Sequence, residues 1–212
     1  MKTIYAGPKR GADRAVLLAH GAGSDMHAAT LAVVADALAG AKIPSLRFNY
    51  PYRDAGKKSP DRAAVLDATT RAAAAELARQ AKLPPERLVL GGRSMGGRYC
   101  SLIVGDDDDP VPALALLLLG YPLHAPGKPD QPRVDHFSRL RVPCLFVSGT
   151  RDSLAGQDAL TDAVKAIKGP VTMHWLESAD HGYRPRKASG RTLDDVAAEA
   201  AEVSVDWVQS LS

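Results

Sequence analysis

Apolar residues gather along this chain in short, unbroken runs: Ala15 to Ala19, Arg87 to Leu90, Ala113 to Leu119 and Pro143 to Ser148, each closing on Gly or a polar turn residue. Runs this brief, apolar at nearly every position, suit strands covered on both faces. Ser45 to Tyr50 and Val171 to Leu176 are weaker strand candidates. Between the runs the period changes. Leu31, Val34, Ala35 and Leu38 fall at i, i+3, i+4 and i+7, Leu66, Thr70, Ala73 and Leu77 repeat that stripe, and Leu160, Val164 and Ile167 do so again, predicting helices. A closing helix is predicted from Val196, Ala200, Val203, Trp207 and Leu211, preceded by Asp and Glu in its first turns, where they favour the helix dipole.

Strand and helix therefore alternate. Right-handed crossovers then give a mostly parallel sheet with helices on both faces, an α/β fold whose ligands bind beyond the carboxyl ends of the strands. No internal repeat or composition shift divides the chain, so a single domain over residues 1–212 is expected, without a cap domain. Two segments look irregular: Pro51 to Pro60, and Tyr121 to Val142, which is rich in Pro, Gly and charge and long for a connection without a function.

Composition removes several classes. With 45% apolar residues, 212 residues can bury a full core without disulfides or structural metal. The balance of 27 basic and 24 acidic residues leaves +3, with no run of five or six basic side chains, so nucleic acid is not an expected partner. The most apolar stretch, Val111 to Leu119, is about half of the ~20 residues that span a membrane, and Pro112 interrupts it, so no membrane association is expected either. Cys100 and Cys144 form no C-x-x-C pair, and the start MKTIYAGPKRGADR breaks into Gly, Pro and Arg where a secretory signal needs an apolar stretch. A cytoplasmic location is expected.

The chemistry lies after the strands. Following Arg87 to Leu90 comes GGRSMGG, where Gly92, Ser94 and Gly96 make G-x-S-x-G. A serine on a sharp strand-to-helix turn leaves almost no room at its flanking positions, hence the glycines. The pentapeptide alone fits a plain glycine-rich turn equally well. Serine, however, needs a base, and the base an orienting acid. The strand Pro143 to Ser148 runs into GTRD, placing Asp152 at a carboxyl end, and Val171 to Leu176 is followed by ESADHGY, placing His181 likewise. The chain order Ser, Asp, His is the one α/β-hydrolases use.

Through HGAGS, GGRSMGG, GTRD and ADHGY, in that order, the chain resembles the α/β-hydrolase superfamily along nearly its whole length. It looks most like the small lid-free group near dienelactone hydrolases, and like the testis-expressed and chromatin-complex-subunit relatives that share an NYPYRDAGKKSPDR-like stretch. The resemblance implies Ser94 as nucleophile, His181 as general base and Asp152 as the group that orients the imidazole. It implies an oxyanion hole built from the Met95 amide and a second N–H in HGAGS, Ala22 first and Gly23 as the alternative. Dienelactone hydrolases carry cysteine where this chain has Ser94, so lactone hydrolysis is not implied. No metal or cofactor is implied. The expected activity is hydrolysis of small acyl esters or thioesters through an acyl-enzyme. The alternative is a non-catalytic scaffold on the same fold, as the chromatin subunit suggests, although no feature here supports a protein partner.

Other residues compete for attention. His20 more often stabilises its loop than moves a proton, His174 lies inside a strand, and His124 and His136 sit in the long connection without a defined role. Asp158 and Asp162 fall too far along a helix to replace Asp152, and Asp106 to Asp109 read as a solvated turn and not as a calcium loop. Arg53, Lys57, Lys58 and Arg62, with Arg93, are candidates to receive an anionic substrate, and Tyr50, Tyr52 and Tyr121 to line an acyl pocket. An imidazole base predicts activity that rises with pH between about 5 and 8.

Overall fold

The computed structural model describes residues 1–212 and holds seven strands in one sheet. These are β1 (Thr3–Ala6), β2 (Ala15–Ala19), β3 (Ser45–Phe48), β4 (Leu88–Arg93), β5 (Ala115–Leu119), β6 (Cys144–Gly149) and β7 (Val171–Leu176). Their spatial order is β1-β3-β2-β4-β5-β6-β7, parallel throughout except for β1, which runs antiparallel to β3 on the edge. The fold is the α/β-hydrolase fold.

The unbroken apolar runs are explained by burial on both faces. In β2, Ala15, Leu17 and Ala19 join one core while Val16 and Leu18 join the other, and β6 divides in the same way into Cys144 and Phe146 against Leu145 and Val147. On the first face lie α3 (Ala63–Ala81), α4 (Met95–Val104) and α5 (Gln157–Ala163); on the second lie α1 (Ala29–Gly40) and α6 (Leu193–Ser210). Two predicted stripes are buried as expected, Leu31, Val34, Ala35 and Leu38 in α1 and Leu66, Thr70, Ala73 and Leu77 in α3. In contrast, α5 ends before Val164 and Ile167, and α6 buries Val196 and Ala200 with Ala197, Ala201, Ser204 and Val208, while Val203 and Trp207 are half-buried and Leu211 follows the helix. Helix α6 begins with a reciprocal cap in which Thr192 Oγ1 accepts from the Asp195 amide at 3.1 Å and the Thr192 amide donates to Asp195 Oδ2 at 2.7 Å.

Two elements differ from the expectation. Strand β1 carries no strong apolar run, being half-buried at every position, and its pairing with β3 defines it. The segment from Pro51 opens with a short helix, α2 (Pro51–Asp54), in which Pro51 needs no N–H partner. Its loop is tied down by Asp54, which accepts from Asn49 Nδ2 and the Lys2 amide, each at 3.0 Å, and by Asp61, which accepts from the Tyr52 amide at 2.9 Å. The long connection Tyr121 to Val142 folds back onto the sheet: Phe137 is fully buried, and the Tyr121 hydroxyl donates to the Arg133 carbonyl at 2.9 Å. The acidic run is a turn, with Asp106 Oδ1 accepting the amides of Asp108 and Asp109 and its other oxygen paired with Arg71. No helix is long and apolar enough to cross a membrane.

Candidate active site

Three strand ends converge on one cleft. Ser94 sits between β4 and α4 with φ 51° and ψ −116°, a left-handed conformation that costs a non-glycine residue about 1–3 kcal/mol and is held here by the packing around it. That packing requires the glycines. A Cβ at either Gly92 or Gly96 would drive into the carbonyl oxygen of Ala19 on the neighbouring strand, so β2 and the turn can approach only if both side chains are absent.

Asp152 follows β6 and His181 follows β7, as their positions after strands predict. The Ser94 hydroxyl lies 2.9 Å from His181 Nε2, and His181 Nδ1 lies 2.8 Å from Asp152 Oδ2. The other carboxylate oxygen of Asp152 accepts the Leu154 amide at 2.8 Å, and the side chain is sealed from solvent. With a carboxylate at Nδ1, that nitrogen carries the proton and Nε2 is left to accept the serine's. The three residues thus form one directed chain.

Two further groups face the same space. Met95 is the first residue of α4, and neither its amide nor that of Ala22 has an acceptor within the protein; both residues line the cleft beside Ser94. Gly23 does not line it, and its amide instead approaches the Tyr52 hydroxyl, which has no hydrogen bond of normal geometry. Of the two, Ala22 alone borders the cleft.

Three other histidines are held by protein partners, while His124 borders the cleft with its Nδ1 at 2.9 Å from the Ala125 carbonyl. His20 Nδ1 meets the Gly21 carbonyl at 2.8 Å, Nε2 accepts the Tyr50 amide at 3.3 Å, and burial lowers its pKa, so the ring is a neutral brace for the loop before Ala22. His174 reaches Glu199 on α6 at 2.7 Å, where Arg191 also pairs, so it serves a surface network and not simple packing. His136 is buried 2.8 Å from the Ser101 hydroxyl, and burial, aided by the charges of Arg98 and Arg139, pushes its pKa down to about 4.

That depression has a measurable consequence. The folded protein binds the His136 proton less readily than the unfolded chain, whose value is 6.5, so its contribution is complete above pH 6.5 and is lost as pH falls towards 4. The loss approaches about 3 kcal/mol. His20 adds in the same direction. Urea unfolding at pH 7 and pH 5 is expected to show a smaller pH difference in His136→Gln than in the native protein; an unchanged difference would remove His136 as its source.

The cleft has a volume of about 880 Å³ and holds Ser94 and His181 in its wall. Tyr50, Tyr52 and Tyr121 do not line it: all three are buried in the core beneath, Tyr50 bonded to Thr70 at 3.0 Å. Of the basic residues singled out from sequence, Arg93 alone faces the cleft, while Arg53 pairs with Asp25 and caps the Lys57 carbonyl. Arg98, Arg133 and Arg184, which sequence reasoning passed over, line it instead. Only Arg98 carries a signal, standing four residues after Ser94 and one turn into the helix that begins at Met95.

Solved structures with the same architecture accompany this geometry. An α/β serine hydrolase homologue from Coxiella burnetii is similar with a TM-score of 0.71 and 17% identity, covering 96% of this chain and 89% of its own. Est1E from Butyrivibrio proteoclasticus, solved with ferulic acid bound, gives 0.67 and 16% over 99% and 96%. A dienelactone hydrolase from Anabaena variabilis gives 0.66 and 18% over 94% and 88%. Residues 12–209 match the α/β hydrolase domain family, and with nearly the whole length accounted for, the chain belongs to that family.

Proposed function

We propose that this protein is a serine hydrolase of small acyl esters or thioesters, working through a Ser-His-Asp triad and an acyl-enzyme. The observation that carries the reading is the unbroken pair of contacts from Ser94 Oγ to His181 Nε2 at 2.9 Å and from His181 Nδ1 to Asp152 at 2.8 Å, opening on a cleft. Ser94 Oγ attacks the acyl carbonyl, and its proton passes to His181 Nε2 as the new C–O bond forms. The oxyanion is received by the amides of Met95 and Ala22. The bond to the alcohol or thiol then breaks, and His181 returns the proton to that leaving group. Water, deprotonated by the same nitrogen, hydrolyses the acyl-serine and restores the site. Asp152 keeps the proton on Nδ1 and stabilises the imidazolium that forms.

The connection Tyr121 to Val142, where a lid would stand, packs onto the sheet and supports an open site, suited to small or extended soluble substrates. Both cysteines are free and buried, which fits the reducing cytoplasm where we place the protein. The test is turnover of 4-nitrophenyl esters and acyl thioesters of graded chain length by the purified protein. Hydrolysis of short-chain members is expected. Failure of folded protein to turn over either class would overturn the reading.

A further inference from the structure

The charge of the cleft is one-sided. Arg93, Arg98, Arg133 and Arg184 line it, against a single carboxylate, Asp61, whose Oδ2 already accepts the Tyr52 amide. None of these arginines is ion-paired, whereas Arg71 on the outer surface is surrounded by Asp67, Asp106 and Asp109. Uncompensated guanidinium groups in a concave site attract and orient anions, because the low-dielectric walls focus their field.

The four are not equivalent. Arg93 is committed to the fold: its guanidinium lies 4.2 Å from the Tyr183 ring centroid, and Nη1 donates to the Leu119 carbonyl at 3.1 Å. Arg98 is held one helical turn beyond the nucleophile, against the Tyr99 ring, and its Nε is out of solvent with no acceptor at all. Arg98 and Arg133 both border the cleft, and neither has a carboxylate partner.

The geometry points to an acyl substrate bearing a second, anionic group, a carboxylate or phosphate, which Arg98 anchors with Arg133 while Ser94 attacks the scissile carbonyl. This inference rests on the serine hydrolase reading and names its substrate class. Neither arginine is a catalytic residue, since both act by positioning the substrate.

The test compares the 4-nitrophenyl monoester of glutaric acid with 4-nitrophenyl pentanoate, a neutral ester of equal acyl length. The ratio of their kcat/KM values is expected to favour the anionic ester by about 10- to 100-fold at low salt, as a charge-assisted contact gives. Arg98→Gln should collapse that ratio, Arg133→Gln should lower it less, and Arg98→Lys should restore part of it. Inhibition by glutarate against inhibition by propyl phosphate distinguishes the carboxylate from the phosphate. A ratio at or below one, or a ratio unchanged in folded Arg98→Gln, overturns the inference while leaving the hydrolase reading intact. Should neither ester turn over, calorimetric titration of Ser94→Ala with glutarate, propyl phosphate and neutral 1,5-pentanediol decides the anion site alone: binding of either anion that is lost with Arg98→Gln upholds it, and no binding of either overturns it.

Discussion

Replacing Ser94 with alanine is expected to lower kcat for ester hydrolysis on the order of 10⁶-fold, because the nucleophile and the base act as one unit and the loss of either removes nearly all of their joint effect. The remaining rate comes from the donors at Met95 and Ala22 and from substrate binding, neither of which the substitution touches. Stability should change little: alanine meets the same backbone strain at φ 51°, and the hydroxyl's contact is with His181 at the cleft and not with the core. Steady-state kinetics and thermal unfolding on the same preparation separate the two effects. A variant that keeps a tenth of its activity would mean that another group forms the acyl-enzyme.

Asp152→Asn should cost on the order of 10⁴-fold in kcat with the fold preserved. The reason is the direction of the hydrogen bonds. Oδ1 of Asp152 accepts the Leu154 amide, so an asparagine there keeps its carbonyl oxygen at that donor and turns its NH₂ towards His181. Nδ1 must then accept, the imidazole proton moves to Nε2, and Nε2 presents a donor to Ser94 where an acceptor is needed. Size and burial hardly change, so circular dichroism should match the native protein. A loss below tenfold would show that Asp152 does not set the tautomer.

Much of this site is legible in the sequence because its parts sit at the ends of strands that are buried on both faces. β2, β5 and β6 are apolar at almost every position, so they stand out without periodicity, and their carboxyl ends locate Ala22 and Asp152, while β4 leads to Ser94. β7 stands out less because its burial is partial, yet the residues that follow it still point to His181. β1 is hidden for a related reason: an edge strand of four half-buried residues exists through its pairing with β3, which no local pattern records. Tyr50 and Tyr121 stand beside prolines after strands, as pocket residues would, but the chain turns them inward.

The electrostatics of the cleft follow another rule. Arg133 and Arg184 belong to irregular segments far apart in sequence that border one cleft only in the folded chain. Sequence spacing says nothing about such convergence. The basic residues of the NYPYRDAGKKSPDR stretch, conspicuous in one dimension, face elsewhere once Arg53 has paired with Asp25. The charge that faces the nucleophile comes from residues scattered over more than eighty positions, from Arg93 to Arg184.

The most direct test of the central claim, that Ser94 is an activated nucleophile, is labelling of the purified protein with a fluorophosphonate probe and location of the modified residue by mass spectrometry. Stoichiometric labelling at Ser94 is expected, abolished in Ser94→Ala and strongly slowed in Asp152→Asn. Folded protein that stays unlabelled, or that carries the label on another residue, would contradict it.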